Sequence, residues 1–136
     1  MPAIGLVVAQ FNRPVTEAME DAAREAVEAS PATLEAVVSV PGVYDTPLAA
    51  DRLARRDDVD AVVVIGSVIT GDTSHDRVIA DAAAGRLTDV SLERDTPVTL
   101  GVTGPGMSAA EAYERVEKGA EAVDCALALL DGLPDP

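Results

Sequence analysis

Four short apolar runs, each followed by a segment of helical spacing, predict a three-layer α/β/α sandwich built on a four-stranded parallel sheet. The run Ala61-Val62-Val63-Val64-Ile65 is continuously apolar and rich in β-branched residues, as a strand buried on both faces requires. Successive runs are separated by helix-length segments, the crossovers that parallel strands need, and such crossovers are right-handed. Each run also ends in a loop of unusual composition. All four loops should therefore leave the same edge of the sheet.

Residues 4–9 read as the first strand, and residues 16–30 place Met19, Ala22, Ala23, Ala26 and Val27 on one helical face. Between them, Gln10-Phe11-Asn12-Arg13-Pro14 holds the only phenylalanine. Residues 36–40 form the second strand, stopped by Pro41-Gly42, and Pro47 suits the first turn of a helix running to about residue 56. The third strand, residues 61–67, leads into a loop with two glycines and then a helix over about residues 74–94. Its expected core stripe includes Val78, Ile79, Ala82 and Val90. Thr73-Ser74-His75-Asp76 has the pattern of a capping box at its start, and Asp95-Thr96-Pro97 closes it. Residues 98–102 make the fourth strand and Thr103-Gly104-Pro105-Gly106-Met107 a loop. Ser108-Ala109-Ala110-Glu111 gives a second capping box, opening a final helix that reaches about residue 130. No linker or low-complexity tract interrupts the 136 residues, which amount to about one domain.

The charge is lopsided, with 24 acidic residues against 10 basic ones for a formal net charge of −14. Such a surface repels nucleic acid. Self-repulsion of this size is easiest to tolerate where salt shortens the screening length to ~3 Å at 1 M, which points to a halophilic source. No apolar run approaches the ~18 to 20 residues of a membrane span and the amino terminus lacks a signal pattern, so a cytoplasmic protein is expected. The lone Cys125 and the single histidine, His75, leave no cysteine cluster or histidine-rich set for a metal, and none is expected.

Chemistry concentrates in the loops. His75 is the natural acid/base group near neutral pH, although a lone histidine more often has a surface or capping role. Gly71-Asp72-Thr73, ahead of a helix start, could present backbone N–H groups to an anion, but it lacks the lysine of a P-loop and the glycine spacing of a dinucleotide site. Phe11 could stack on a planar heterocycle or plug the core over the sheet edge. Asn12 and Asp45 could hydrogen-bond a heterocycle or sugar-like hydroxyls, and each could equally cap a helix. Arg115 and Lys118 are ordinary surface cations by default. With so few cations in the chain they are also candidates for neutralising a phosphate.

These loops resemble the 6,7-dimethyl-8-ribityllumazine synthases of riboflavin biosynthesis. The likeness rests on Phe11-Asn12, Val40-Pro41-Gly42-Val43-Tyr44-Asp45-Thr46-Pro47, the segment from Gly66 to His75, and Ala112-Tyr113-Glu114-Arg115, with the third the most specific. The segment from Thr99 to Met107 is similar to the archaeal branch. The resemblance implies a flavodoxin-like fold and condensation of 5-amino-6-(D-ribitylamino)uracil with 3,4-dihydroxy-2-butanone 4-phosphate, without metal or organic cofactor.

The resemblance also implies roles for individual residues. Phe11 would stack on the pyrimidine, while Asn12, Val43, Tyr44, Asp45 and the backbone of Ser67, Val68 and Ile69 would hold the ring and ribityl chain. Gly71, Asp72 and Thr73 would meet the phosphate, and His75 would assist proton transfers. Arg115 and Leu100 would arrive from a neighbouring subunit of a pentamer, or of a sixty-subunit shell of pentamers. Asp45 stands where many members have glutamate, and Leu100 where bacterial members often have an aromatic residue. Two alternatives are a flavin- or lumazine-binding shell protein without turnover, and the archaeal riboflavin synthase.

Overall fold

The strand β3 (Ala61–Ile69) runs through the middle of the molecule, with every residue from Ala61 to Val68 buried. In this computed structural model, which describes residues 1–71 and 74–136, β3 is flanked by β1 (Ala3–Ala9) and β4 (Val98–Met107), and β2 (Thr33–Val40) pairs outside β1. The order β2-β1-β3-β4 is parallel throughout. Among the described residues, five α-helices cover it: α1 (Val15–Glu28), α2 (Thr46–Ala54), α3 (His75–Arg94), α4 (Ala109–Tyr113) and α5 (Lys118–Gly132). The expected flavodoxin-like α/β/α sandwich is the observed fold.

Alternation along the strands builds two cores. Ile4, Leu6 and Val8 of β1 join Ala61, Val63 and Ile65 of β3 against α1 and α5, where Met19, Ala23, Val123 and Ala126 are buried. Val7, Val62 and Val64 face the other way, onto Leu53 of α2 and Leu87 and Val90 of α3. Gly119 allows α5 to approach α1 closely, since a Cβ there would run into the Met19 carbonyl oxygen. On the opposite face, Asp51 of α2 accepts from Arg94 Nε at 2.7 Å and so ties α2 to α3. No helix among the described residues is long and apolar enough to cross a membrane.

The elements differ from expectation in several places. β2 starts at Thr33, because a shift in its pairing with β1 lets Ile4 match Leu34 and Gly5 match Ala36, leaving Glu35 bulged outward. Val78 and Ala82 face solvent instead of the core. The buried stripe of α3 is Asp76, Ala83, Leu87 and Val90, with Ile79 and Ala80 packed beside it. The N-cap of α3 is Ser74, without a side-chain bond, and Oδ2 of Asp76 accepts from the Gly106 N–H of β4. Thr73 lies outside the described residues.

The segment from Thr103 to Met107, expected as a loop, continues β4. Ser67 pairs with Thr103 and Ile69 with Met107, so Gly104, Pro105 and Gly106 bulge opposite Val68. Gly104 has φ +91° and a Cβ on it would run into the Val68 carbonyl oxygen, which only glycine avoids. The final helix is two helices. Ser108 and Glu111 do form the expected reciprocal cap, but the N–H groups of Arg115, Lys118 and Gly119 bond three residues back instead of four. That tighter turn separates α4 from α5.

Candidate active site

The ends of β1, β2 and β3 and the start of α3 meet around a cleft of about 280 Å³. Its walls are Phe11, Asn12, Val43, Ser67, Val68, Ile69, Gly71, His75, Asp76 and Ile79. Most of the residues singled out from the sequence thus come together, though they are spread over more than sixty positions. The parallel topology does this by delivering three strand ends to one edge.

Phe11, after β1, is 65% exposed and lines the cleft, so it does not plug the core. Its backbone N–H donates to the Pro41 carbonyl at 2.9 Å, fastening the loop after β1 to the end of β2. Asn12 follows in the left-handed region, φ +70°, a conformation that asparagine tolerates better than most residues. Its Nδ2 donates to the Ser67 carbonyl at 2.7 Å. The Ser67 hydroxyl in turn accepts from Thr103 Oγ1 at 2.9 Å, so both polar ends of this buried residue are engaged. Val43 is buried and seated on Gly66, where a Cβ would come within 2.6 Å of Val43 Cγ2.

His75 is the first residue of α3 and is exposed on the cleft rim. Beside it, Asp76 is 8% exposed, and its Oδ2 accepts from the Gly106 N–H at 3.1 Å. The start of α3 is thereby pinned to the bulge of β4. Asp72 and Thr73, expected at a phosphate site, lie outside the described residues.

Four residues sit away from the cleft. Asp45 uses its carboxylate to accept from the Gly42 N–H at 3.0 Å. Tyr44 lines a larger hollow of about 480 Å³ between α2 and α3, where Asp51 and Arg94 are paired with each other. Leu100, 42% exposed on the outer strand β4, borders a small dent with Ala80 and Ala84. Arg115 lies in the turn after α4 and lines a separate hollow with Thr103, Glu114 and Lys118. Among the described residues, the 280 Å³ cleft, though smaller than the one at Tyr44, is the one that joins an exposed phenylalanine to an imidazole.

The family profile for 6,7-dimethyl-8-ribityllumazine synthase matches residues 2–133. This chain belongs to that family. Its sequence is 67% identical to a 6,7-dimethyl-8-ribityllumazine synthase of Halobacterium salinarum, covering 98% of this chain and 100% of the relative. It is 64% identical to one from Halorubrum lacusprofundi, over 98% and 99% of the two chains. A third, from Methanocaldococcus jannaschii, is 47% identical over 96% and 92%. The archaeal lumazine synthases are thus the branch it resembles, and the salt-adapted reading of its charge accords with the first two relatives.

Asp76 and Ile79 were not singled out for the site from the sequence. Ile79 was readable only as a core position. Asp76 was read as a local cap, and its partner lies thirty residues away on β4, a distance at which no sequence pattern signals a bond.

Proposed function

We propose that this protein makes 6,7-dimethyl-8-ribityllumazine by condensing 5-amino-6-(D-ribitylamino)uracil with 3,4-dihydroxy-2-butanone 4-phosphate, releasing phosphate and water. What carries the reading is the single cleft where the Phe11 ring, the end of β3 and His75 converge. The exposed Phe11 stacks on the pyrimidine. Backbone groups of Ser67, Val68 and Ile69, with the carbonyl end of the Asn12 amide, hold the ring and its ribityl chain. His75 moves protons during imine formation, phosphate elimination and ring closure, as an imidazole near neutral pH can. Gly71, on the cleft wall, meets the phosphate, and the resemblance assigns the same role to Asp72 and Thr73, which lie outside the described residues.

Arg115 and Leu100, remote from this cleft in their own subunit, serve the cleft of a neighbour. The enzyme is on this reading a homo-oligomer, a ring of five or a shell of twelve such rings, formed by repeated head-to-tail contacts that close. Incubating the purified protein with both substrates, while following lumazine absorbance and phosphate release, tests the assignment. Stoichiometric appearance of the two products is expected. Lumazine binding without turnover would make it a storage protein instead.

A further inference from the structure

Gly42 stands just behind the cleft wall, against Phe11 and next in the chain to Val43. Its backbone is extended, φ −142° and ψ 174°, a conformation any residue adopts, so nothing about its dihedral angles calls for glycine. What calls for it is space. A Cβ at Gly42 would stand 2.8 Å from Cδ2 and 3.0 Å from Cε2 of Phe11. The Cδ2–Cε2 edge of the phenyl ring lies against the bare Cα, and the other ring atoms are farther away.

Both partners are held in place by short bonds. The Gly42 N–H donates to Asp45 Oδ2 at 3.0 Å, and the Phe11 N–H donates to the carbonyl of Pro41, the residue before Gly42, at 2.9 Å. The main chain beside the ring is therefore fixed, whereas the ring itself is exposed. Adding a methyl group at position 42 would move the ring and leave the backbone where it is.

We propose that Gly42 is a positioning residue, the bare Cα that sets where the edge of the Phe11 ring rests and so its tilt for stacking on the planar substrate, and that Asp45 acts by holding that backbone. This rests on the assignment of the cleft as the pyrimidine site. An aromatic ring displaced by a methyl group loses much of its overlap with a stacked heterocycle, and the loss falls on binding of the flat substrate alone.

The test is a double-mutant cycle on the assembled enzyme with Gly42→Ala, Phe11→Ala and both together, measuring KM for each substrate, kcat and thermal midpoint. Gly42→Ala is expected to raise KM for the ribitylaminouracil roughly three- to tenfold, the span of one aromatic contact, with KM for the butanone phosphate unchanged. In the Phe11→Ala background it should do nothing further. If Gly42→Ala alone folds poorly, restored folding in the double variant supports the same contact. An unchanged KM in Gly42→Ala beside a raised one in Phe11→Ala overturns the inference alone, as does a Gly42→Ala effect that persists without Phe11. An unchanged KM in Phe11→Ala overturns the pyrimidine assignment and the inference with it.

Discussion

The Asn12 side-chain amide donates to the Ser67 carbonyl at 2.7 Å, so the loop after β1 is bolted to the end of β3 across the floor of the cleft. With Asn12 at φ +70°, the same residue supplies both the turn and the bolt. Asn12→Ala should therefore loosen Phe11 and destabilise the fold by roughly 1 to 2 kcal/mol, from a lost hydrogen bond and a poorly suited left-handed residue. Denaturant unfolding beside KM measurements checks this. Asn12→Gly should recover part of the stability and none of the substrate affinity, because glycine accepts the backbone angle and lacks the amide. Equal affinity in Asn12→Gly and the parent would show that the amide does not matter.

Asp76 holds the first turn of α3 to β4 through the Gly106 N–H. A carboxylate in the first turn of a helix is also favoured by the positive end of the helix dipole. Asp76→Ala is expected to cost about 1 to 2 kcal/mol and to lower kcat by freeing the helix start that carries His75. Asp76→Asn keeps an acceptor for Gly106 and should restore most of kcat. If the two variants are equally slow, the negative charge matters and not the tether.

How much of this was legible follows from where the information sits. The run from Ala61 to Ile65 announces a buried strand because both faces are covered, leaving no polar position to confuse the reading. The topology then forces Phe11, Val43 and His75 together, so the cleft could be assembled on paper. Val78 misled because an apolar residue at helical spacing looks like core, yet it is 61% exposed. The bulge at Gly104 and the turn between α4 and α5 depend on pairing with Val68 and on Gly119 meeting Met19, contacts no local window contains. The same is true of Gly42, whose need for glycine appears only when the edge of Phe11 is seen against it.

On the opposite face, Arg94 donates two bonds to the Asp51 carboxylate. That hydrogen bond, helped by the charges of Arg94, Arg55 and Arg52, holds the Asp51 carboxyl below its usual 3.8. A depressed folded pKa means that the stabilisation is complete above the unfolded value near 3.8 and drains away as pH falls through the lower folded value. Solvent screening limits it to at most ~1 kcal/mol. Acid also discharges the other carboxylates and relieves self-repulsion, which works in the opposite direction. The comparison with Asp51→Asn separates the two: the parent should be the more stable near pH 6, and the gap should close below about pH 3.8. A gap independent of pH would assign the difference to packing.

His75 and Arg115 line different hollows of one subunit, which yields the most direct test of a shared site. His75→Ala is expected to lower kcat by ~10² to 10⁴, the range of acid/base catalysis, and Arg115→Ala to raise KM for the phosphate-bearing substrate most. Subunits of the two variants, dissociated together and reassembled, form some clefts with a native His75 on one side and a native Arg115 on the other. In a randomly mixed closed ring these should be about one cleft in four, with native activity in each. Dissociation should be easiest at low salt, where the screening length grows from ~3 Å at 1 M to ~10 Å at 0.1 M and the acidic subunits repel one another further. Activity in the mixed ring above the mean of the two parents establishes that Arg115 crosses to the neighbour. Activity equal to that mean would return Arg115 to its own subunit and remove the reason for the enzyme to assemble around its substrate.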